Sequence, residues 1–85
     1  MARYELIYLP SISRDLRGIP KAHVRRILQK AEGLRDNPHP ADSVKLTGQD
    51  RYRIRQGDYR ILYSICDRLV LVTVVKIAHR RDVYR

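Results

Sequence analysis

Arginine is the residue of this sequence with the most chemistry to offer, and it is clustered. Arg53, Arg55 and Arg60 fall in the stretch Tyr52-Arg53-Ile54-Arg55-Gln56-Gly57-Asp58-Tyr59-Arg60-Ile61-Leu62-Tyr63. A second group closes the sequence as His79-Arg80-Arg81-Asp82-Val83-Tyr84-Arg85. A guanidinium grips phosphate through a planar fork of donors and stacks on nucleobases. An aromatic ring such as that of Tyr84 stacks on a base exposed in single-stranded RNA. Together the two groups point to chemistry on a phosphodiester backbone.

The first group needs a scaffold that puts its arginines side by side, and the sequence supplies one. Gly57-Asp58 suits a two-residue hairpin turn with glycine in the first central position. That turn sets Gln56 opposite Tyr59, Arg55 opposite Arg60, Ile54 opposite Ile61 and Tyr52 opposite Tyr63. Side chains alternate across a sheet, so Tyr52, Ile54, Ile61 and Tyr63 share an apolar face and Arg53, Arg55 and Arg60 share the other. Like charges opposite each other in a ladder are destabilising by a few tenths of a kcal/mol or more. Folding alone gives no reason to oppose Arg55 and Arg60, whereas an anion bound between them removes the repulsion.

The remaining elements follow from periodicity. Arg3 to Leu9 reads as a strand ended by Pro10, and Ser11 to Arg17 as a short helix closed by Gly18. Pro20 opens a longer helix, where its missing N–H costs nothing. In that helix Val24, Ile27, Leu28, Ala31 and Leu34 form an apolar stripe, with Lys21, Arg25, Arg26, Lys30 and Arg35 mostly off it on a solvated face. Asn37-Pro38-His39-Pro40 stops the helix. Strands are expected at Val44 to Leu46, Tyr52 to Gln56, Tyr59 to Cys66 and Leu69 to Ala78. If Asp67-Arg68 is also a two-residue turn, Leu69, Leu71, Thr73, Val75, Ile77 and His79 fall on the arginine face, and a bulge in this strand would flip its tail to the other. The order predicts one α+β domain over residues 1–85, with an N-terminal strand and two helices packed on one face of a mainly antiparallel sheet.

Composition narrows the partners. The 85 residues carry 18 Lys and Arg against 9 Asp and Glu, a net charge of +9, and the pI is near 10.3. So basic a chain meets a polyanion, nucleic acid first among the candidates. Cys66 is the one cysteine, which excludes an internal disulfide and a cysteine zinc cluster. It lies in an apolar run and is expected to be a buried, inert thiol. His23, His39 and His79 show no metal-ligand spacing, so neither metal nor cofactor is expected. The longest apolar run, Leu69 to Val75, is far short of the ~20 residues that span a bilayer. No signal-peptide pattern precedes the first strand, and a cytoplasmic protein with no membrane partner is the expectation.

These residues resemble the RelE branch of the RelE/ParE toxin superfamily. The resemblance runs along nearly the whole chain and sharpens at Lys45-Leu46-Thr47-Gly48, at Tyr52 to Arg55, at Gly57 to Tyr63 and at His79 to Tyr84. It implies a RelE-like fold and a toxin that cuts mRNA in the A site of the 70S ribosome, inhibited by a RelB-like antitoxin that wraps it. In such chemistry the ribose 2′-OH attacks the adjacent phosphorus and the 5′-oxygen leaves, with protein cations stabilising the phosphorane-like transition state. The family's catalytic positions fall here on Arg53, Arg55, Arg60, Arg80 and Tyr84. The resemblance gives Arg55 and Arg60 the charge on the phosphate. It gives Arg80 the leaving oxygen, as proton donor or as electrostatic support, and Tyr84 the orientation of the substrate. Lys45, Arg53, Arg81 and Arg85 are the RNA-binding positions.

Several relatives carry lysines where this chain has Arg53 and Arg55. Lysine can give up its proton, and arginine effectively cannot. Imidazole exchanges protons near neutrality, which makes His79 the candidate general base. A His79 that only binds RNA, or a base-free mechanism of orientation and electrostatics, are the alternatives. Two other functions fit the same resemblance: a ParE-type inhibitor of DNA gyrase and a catalytically inactive RNA-binding homologue. The small core and exposed cationic groove invite an antitoxin with acidic and helical segments.

Overall fold

The computed structural model describes residues 3–48 and 50–81. Its elements run β1 (Glu5–Tyr8), α1 (Ile12–Arg17), α2 (Lys21–Glu32), a 3₁₀ turn (Gly33–Arg35), β2 (Val44–Lys45), β3 (Tyr52–Gln56), β4 (Tyr59–Cys66), a second 3₁₀ turn (Asp67–Leu69) and β5 (Leu71–His79). The strands form one sheet in the order β1-β5-β4-β3-β2. All neighbours are antiparallel except β1 and β5, which run parallel with Glu5 beside Leu71 and Tyr8 beside Val74. The expected α+β architecture is therefore present, with β1 as an edge strand of the sheet.

The helical stripe packs as its spacing predicts. Ile27 and Ala31 of α2, with Leu34 in the following 3₁₀ turn, are buried against Ile54, Ile61, Tyr63, Val72, Val74 and Ile77 of the sheet. Val24 and Leu28 border that contact and are half-buried. Of the off-stripe cations, Lys21, Arg25 and Arg26 are exposed, while Lys30 pairs with Asp42 at 2.9 Å and Arg35 with Glu32 at 2.6 Å. The Lys30 ammonium beside it holds the Asp42 carboxyl below its ordinary range.

Tyr63 carries the polar group deepest in this layer. Its hydroxyl donates to the Pro38 carbonyl at 2.9 Å, which ties the loop after α2 to the sheet. Burial pushes the Tyr63 phenol up to about 12. Tyr52 stacks on it, and His39 meets Tyr52 edge-on. At the opposite end the Tyr4 hydroxyl donates to Asp67 at 2.7 Å and the Tyr4 amide to the Arg35 carbonyl. These bonds lash the start of β1 to both 3₁₀ turns.

Two features of β5 depart from expectation. The connection from β4 is a three-residue 3₁₀ turn, not a two-residue turn at Asp67-Arg68, and it exits through Val70 in the left-handed region at φ +51°. The ladder then slips: Leu62 pairs with Lys76 but Tyr63 pairs with Val74, so Val75 is an extra residue on β5. Such a bulge exchanges the faces of everything beyond it.

Candidate nucleic-acid interface

The β3–β4 hairpin has the predicted register. Gly57 takes φ +60° while Asp58 stays negative, the pattern of a turn whose first central residue must be glycine. Arg55 is the cross-strand partner of Arg60, Ile54 of Ile61 and Tyr52 of Tyr63. Arg53, Arg55 and Arg60 thus line the face away from the helices. They are not equally exposed. Arg55 is open to solvent and Arg53 half-open, whereas Arg60 is only 7% exposed. Its cross-strand neighbours on this face, Arg55 and Ala78, flank it from β3 and β5. A guanidinium held in such low-dielectric surroundings acts on an anion more strongly than one in open water.

The bulge decides what β5 adds. Before it, Leu71 and Thr73 pair with Cys66 and Ser64 on the arginine face, as expected. After it, Lys76 and Ala78 take that face, opposite Leu62 and Arg60, and Ile77 turns into the core. His79 pairs with Tyr59 and so lies on the helix-covered face. This corrects the expected grouping of Ile77 and His79 with the arginines. Lys76 is the residue that the sequence reading passed over. Its Nζ reaches the Asp15 carboxylate at 3.8 Å.

Asp15 has a second task. β1 stops at Tyr8, so the far half of β5 has no strand on that side. The Asp15 carboxylate accepts the Ile77 amide hydrogen at 3.1 Å in place of a strand. Beside it a cleft of about 380 Å³ opens between α1 and the end of β5, with Tyr59, Lys76 and His79 among its walls.

Arg80 and Arg81 follow β5 as an exposed turn. The Arg80 amide donates to the Asp58 carbonyl at 2.8 Å, which fastens the turn to the tip of the arginine hairpin. Lys45 is not brought to this face: it pairs with Tyr52, while Val44 pairs with Arg53. Tyr84 and Arg85 lie outside the described residues. Cys66 is exposed rather than buried, because it ends β4 on the side that the helices leave bare. Among the described residues no His, Cys, Asp and Glu form a group able to hold a metal ion, and no helix is long and apolar enough to cross a membrane.

A family profile described as ParE toxin of type II toxin-antitoxin system, parDE, matches residues 6–84. The chain belongs to the RelE/ParE family of toxins. It is 30% identical over 80 residues to a relative named RelE1 from Methanocaldococcus jannaschii, with 87% of each chain covered. Among solved structures, the archaeal RelE–RelB complex from Pyrococcus horikoshii OT3 holds a chain 30% identical to this one. The TM-score is 0.79, over 94% of this chain and 98% of that one. The toxin–antitoxin complex RelBE2 from Mycobacterium tuberculosis gives 26% identity and a TM-score of 0.81, over 96% and 97% of the two chains. The arginine hairpin is therefore the surface of a RelE/ParE toxin of a type II toxin–antitoxin system.

Proposed function

We propose that this toxin is an endoribonuclease that cleaves mRNA in the ribosomal A site without a metal ion. The observation that carries the reading is the pairing of Arg55 with a nearly buried Arg60. Two guanidinium groups opposed on one face repel each other, and a phosphodiester between them would be attracted to both. The 2′-hydroxyl attacks the adjacent phosphorus and the bond to the 5′-oxygen breaks, leaving a 2′,3′-cyclic phosphate and a 5′-hydroxyl. Arg55 and Arg60 oppose the charge that builds on the non-bridging oxygens. Arg80, fastened to the hairpin tip, stabilises the leaving oxygen by charge, and that oxygen takes its proton from solvent. Arg53 and Arg81 hold the flanking backbone, as do Lys45 and Arg85 where RNA passes beyond the face. Tyr84 orients the substrate by stacking. With His79 on the other face, catalysis rests on orientation and charge stabilisation, and the 2′-OH proton passes to solvent or to a phosphate oxygen.

The partner in the cell is a RelB-like antitoxin whose acidic, helical segments cover the cationic surface. Support comes from the Pyrococcus and Mycobacterium neighbours, which were solved as toxin–antitoxin complexes. Co-expression of such an antitoxin is expected to restore growth to cells that make this protein.

Primer extension on mRNA in programmed ribosomes tests the nuclease. Wild type is expected to introduce cuts in the A-site codon, and Arg60→Ala and Arg80→Ala are expected to remove them. The description of the matching profile as ParE toxin favours a second reading, inhibition of DNA gyrase. Loss of supercoiling activity with intact message selects that reading.

A further inference from the structure

We propose that His79 is a positioning residue of this site and not its proton acceptor: the neutral imidazole clamps the Arg80–Arg81 turn, and protonation opens the clamp. The proposal rests on the ribonuclease reading for its catalytic consequence, and on hydrogen-bond geometry for the clamp itself.

The Arg81 amide donates to His79 Nδ1 at 3.3 Å. An imidazole nitrogen accepts a hydrogen bond only through a lone pair, so the neutral ring carries its hydrogen on Nε2. Both nitrogens are then committed, one as acceptor and one as bearer of the proton. A general base needs a lone pair aimed at the 2′-hydroxyl, and this ring has none to offer. Its placement agrees. His79 lies across the ladder from Tyr59, away from the arginine face. Its ring meets Tyr59 edge-on at 5.6 Å, and Tyr59 leans on His23 of α2 at 5.5 Å. The stack braces the imidazole from behind.

The turn is therefore held at two successive amides. Arg80 N–H goes to the carbonyl of Asp58, in the same hairpin turn that sets Arg55 against Arg60, and Arg81 N–H goes to His79. Protonation of His79 places a second N–H against the Arg81 N–H. Donor then faces donor, and the second hold is lost. The charged and titratable groups around the ring are Tyr59 of β4 with His23 behind it, Asp58 of the hairpin turn, Arg80 and Arg81 along the chain, and Asp15 and Lys76 in the shared cleft. New positive charge beside Arg80 and Arg81 adds repulsion to the lost bond. Falling pH loosens the turn that carries Arg80 while its own amide stays on Asp58, and displacing a catalytic group by about 1 Å costs on the order of 100-fold in rate.

His79→Asn and His79→Ala separate the roles. An asparagine oxygen accepts from the amide two residues on and does not titrate. His79→Ala is expected to lose about 100-fold in A-site cleavage. His79→Asn is expected to rescue most of that loss and to remove the fall in activity at acid pH. Equal loss in both variants overturns the proposal and restores the base. Nitrogen NMR of the free toxin gives a readout independent of catalysis. The Nε2–H tautomer, with slow exchange of the Arg81 amide that quickens on acidification, is expected; the Nδ1–H tautomer overturns the clamp. A folded wild type that makes no cuts sinks the ribonuclease reading, while the NMR result still decides the clamp.

Discussion

On the covered side of the β3–β4 ladder Ile54 faces Ile61, and both are sealed beneath α2. One residue further along each strand, on the other side, Arg55 faces Arg60. The first pair is chosen for folding, since burying an aliphatic side chain contributes about 1.5–3 kcal/mol. The second pair offers folding no such gain: like charges oppose across the ladder, and one of them is almost dry. The same two strands thus separate the residues that make the domain stable from the residues proposed to meet RNA. Each side is open to its own kind of damage.

Substitution on each side should expose that separation. The largest effect is expected from Ile61→Ala, which leaves a cavity in the covered layer and costs about 2–5 kcal/mol. In a domain of this size each 1 kcal/mol lowers the thermal midpoint by about 4–8 °C, so calorimetry reads the loss directly. A midpoint that stays put breaks the comparison. Next comes Arg55→Gln. Cleavage should fall by about 10²–10³-fold, the cost of removing one donor to a developing oxyanion, while urea stability rises by a few tenths of a kcal/mol as the opposed charge disappears. A stability loss with activity retained would reverse the assignment of the two faces.

Tyr63 sharpens the contrast, as the polar group that the covered side admits. Burial favours its neutral phenol, so the folded protein keeps a proton that the unfolded chain gives up near pH 10. Its contribution is complete below pH 10 and is lost as pH rises toward about 12, on the order of 2 kcal/mol in all. Tyr63→Phe should flatten this alkaline loss in denaturation series and cost about 1 kcal/mol at neutral pH through the missing bond to Pro38. The smallest effect belongs to Val70→Asn. A β-branched residue at φ +51° is strained by about 1–2 kcal/mol, which asparagine partly relieves, so the thermal midpoint should rise without any change in cleavage.

The hairpin was legible because Gly57-Asp58 admits one register, and every face assignment in β3 and β4 then follows from alternation. The stripe of α2 was legible for the same kind of reason, a period that only one element satisfies. β5 was not. Val72, Val74, Val75 and Ile77 are equally at home on either side of a sheet, so nothing in their order marks Val75 as the extra residue. The slip exchanged His79 for Lys76 and Ala78 on the arginine face. Cys66 is exposed although it lies in an apolar run, because it falls on the face that the helices leave bare. The Asp15 bond to Ile77 joins residues 62 apart in sequence, and no local pattern announces it. Arg53, Arg55 and Arg60 fell where the sequence put them because the turn between them is short. Arg80 depends on a bond to Asp58 that only the folded chain displays.

The strand order has a bearing on how such a protein is made. β5 is the last of the described strands to leave the ribosome, yet it sits between β1 and β4. Until it is synthesised the first strand has no neighbour, the hydrophobic layer is open, and Arg80 does not exist. Assembly must then wait for contacts spanning most of the chain, which are slow to form. A copy that stops short of β5 lacks the strand that joins β1 to the rest of the sheet.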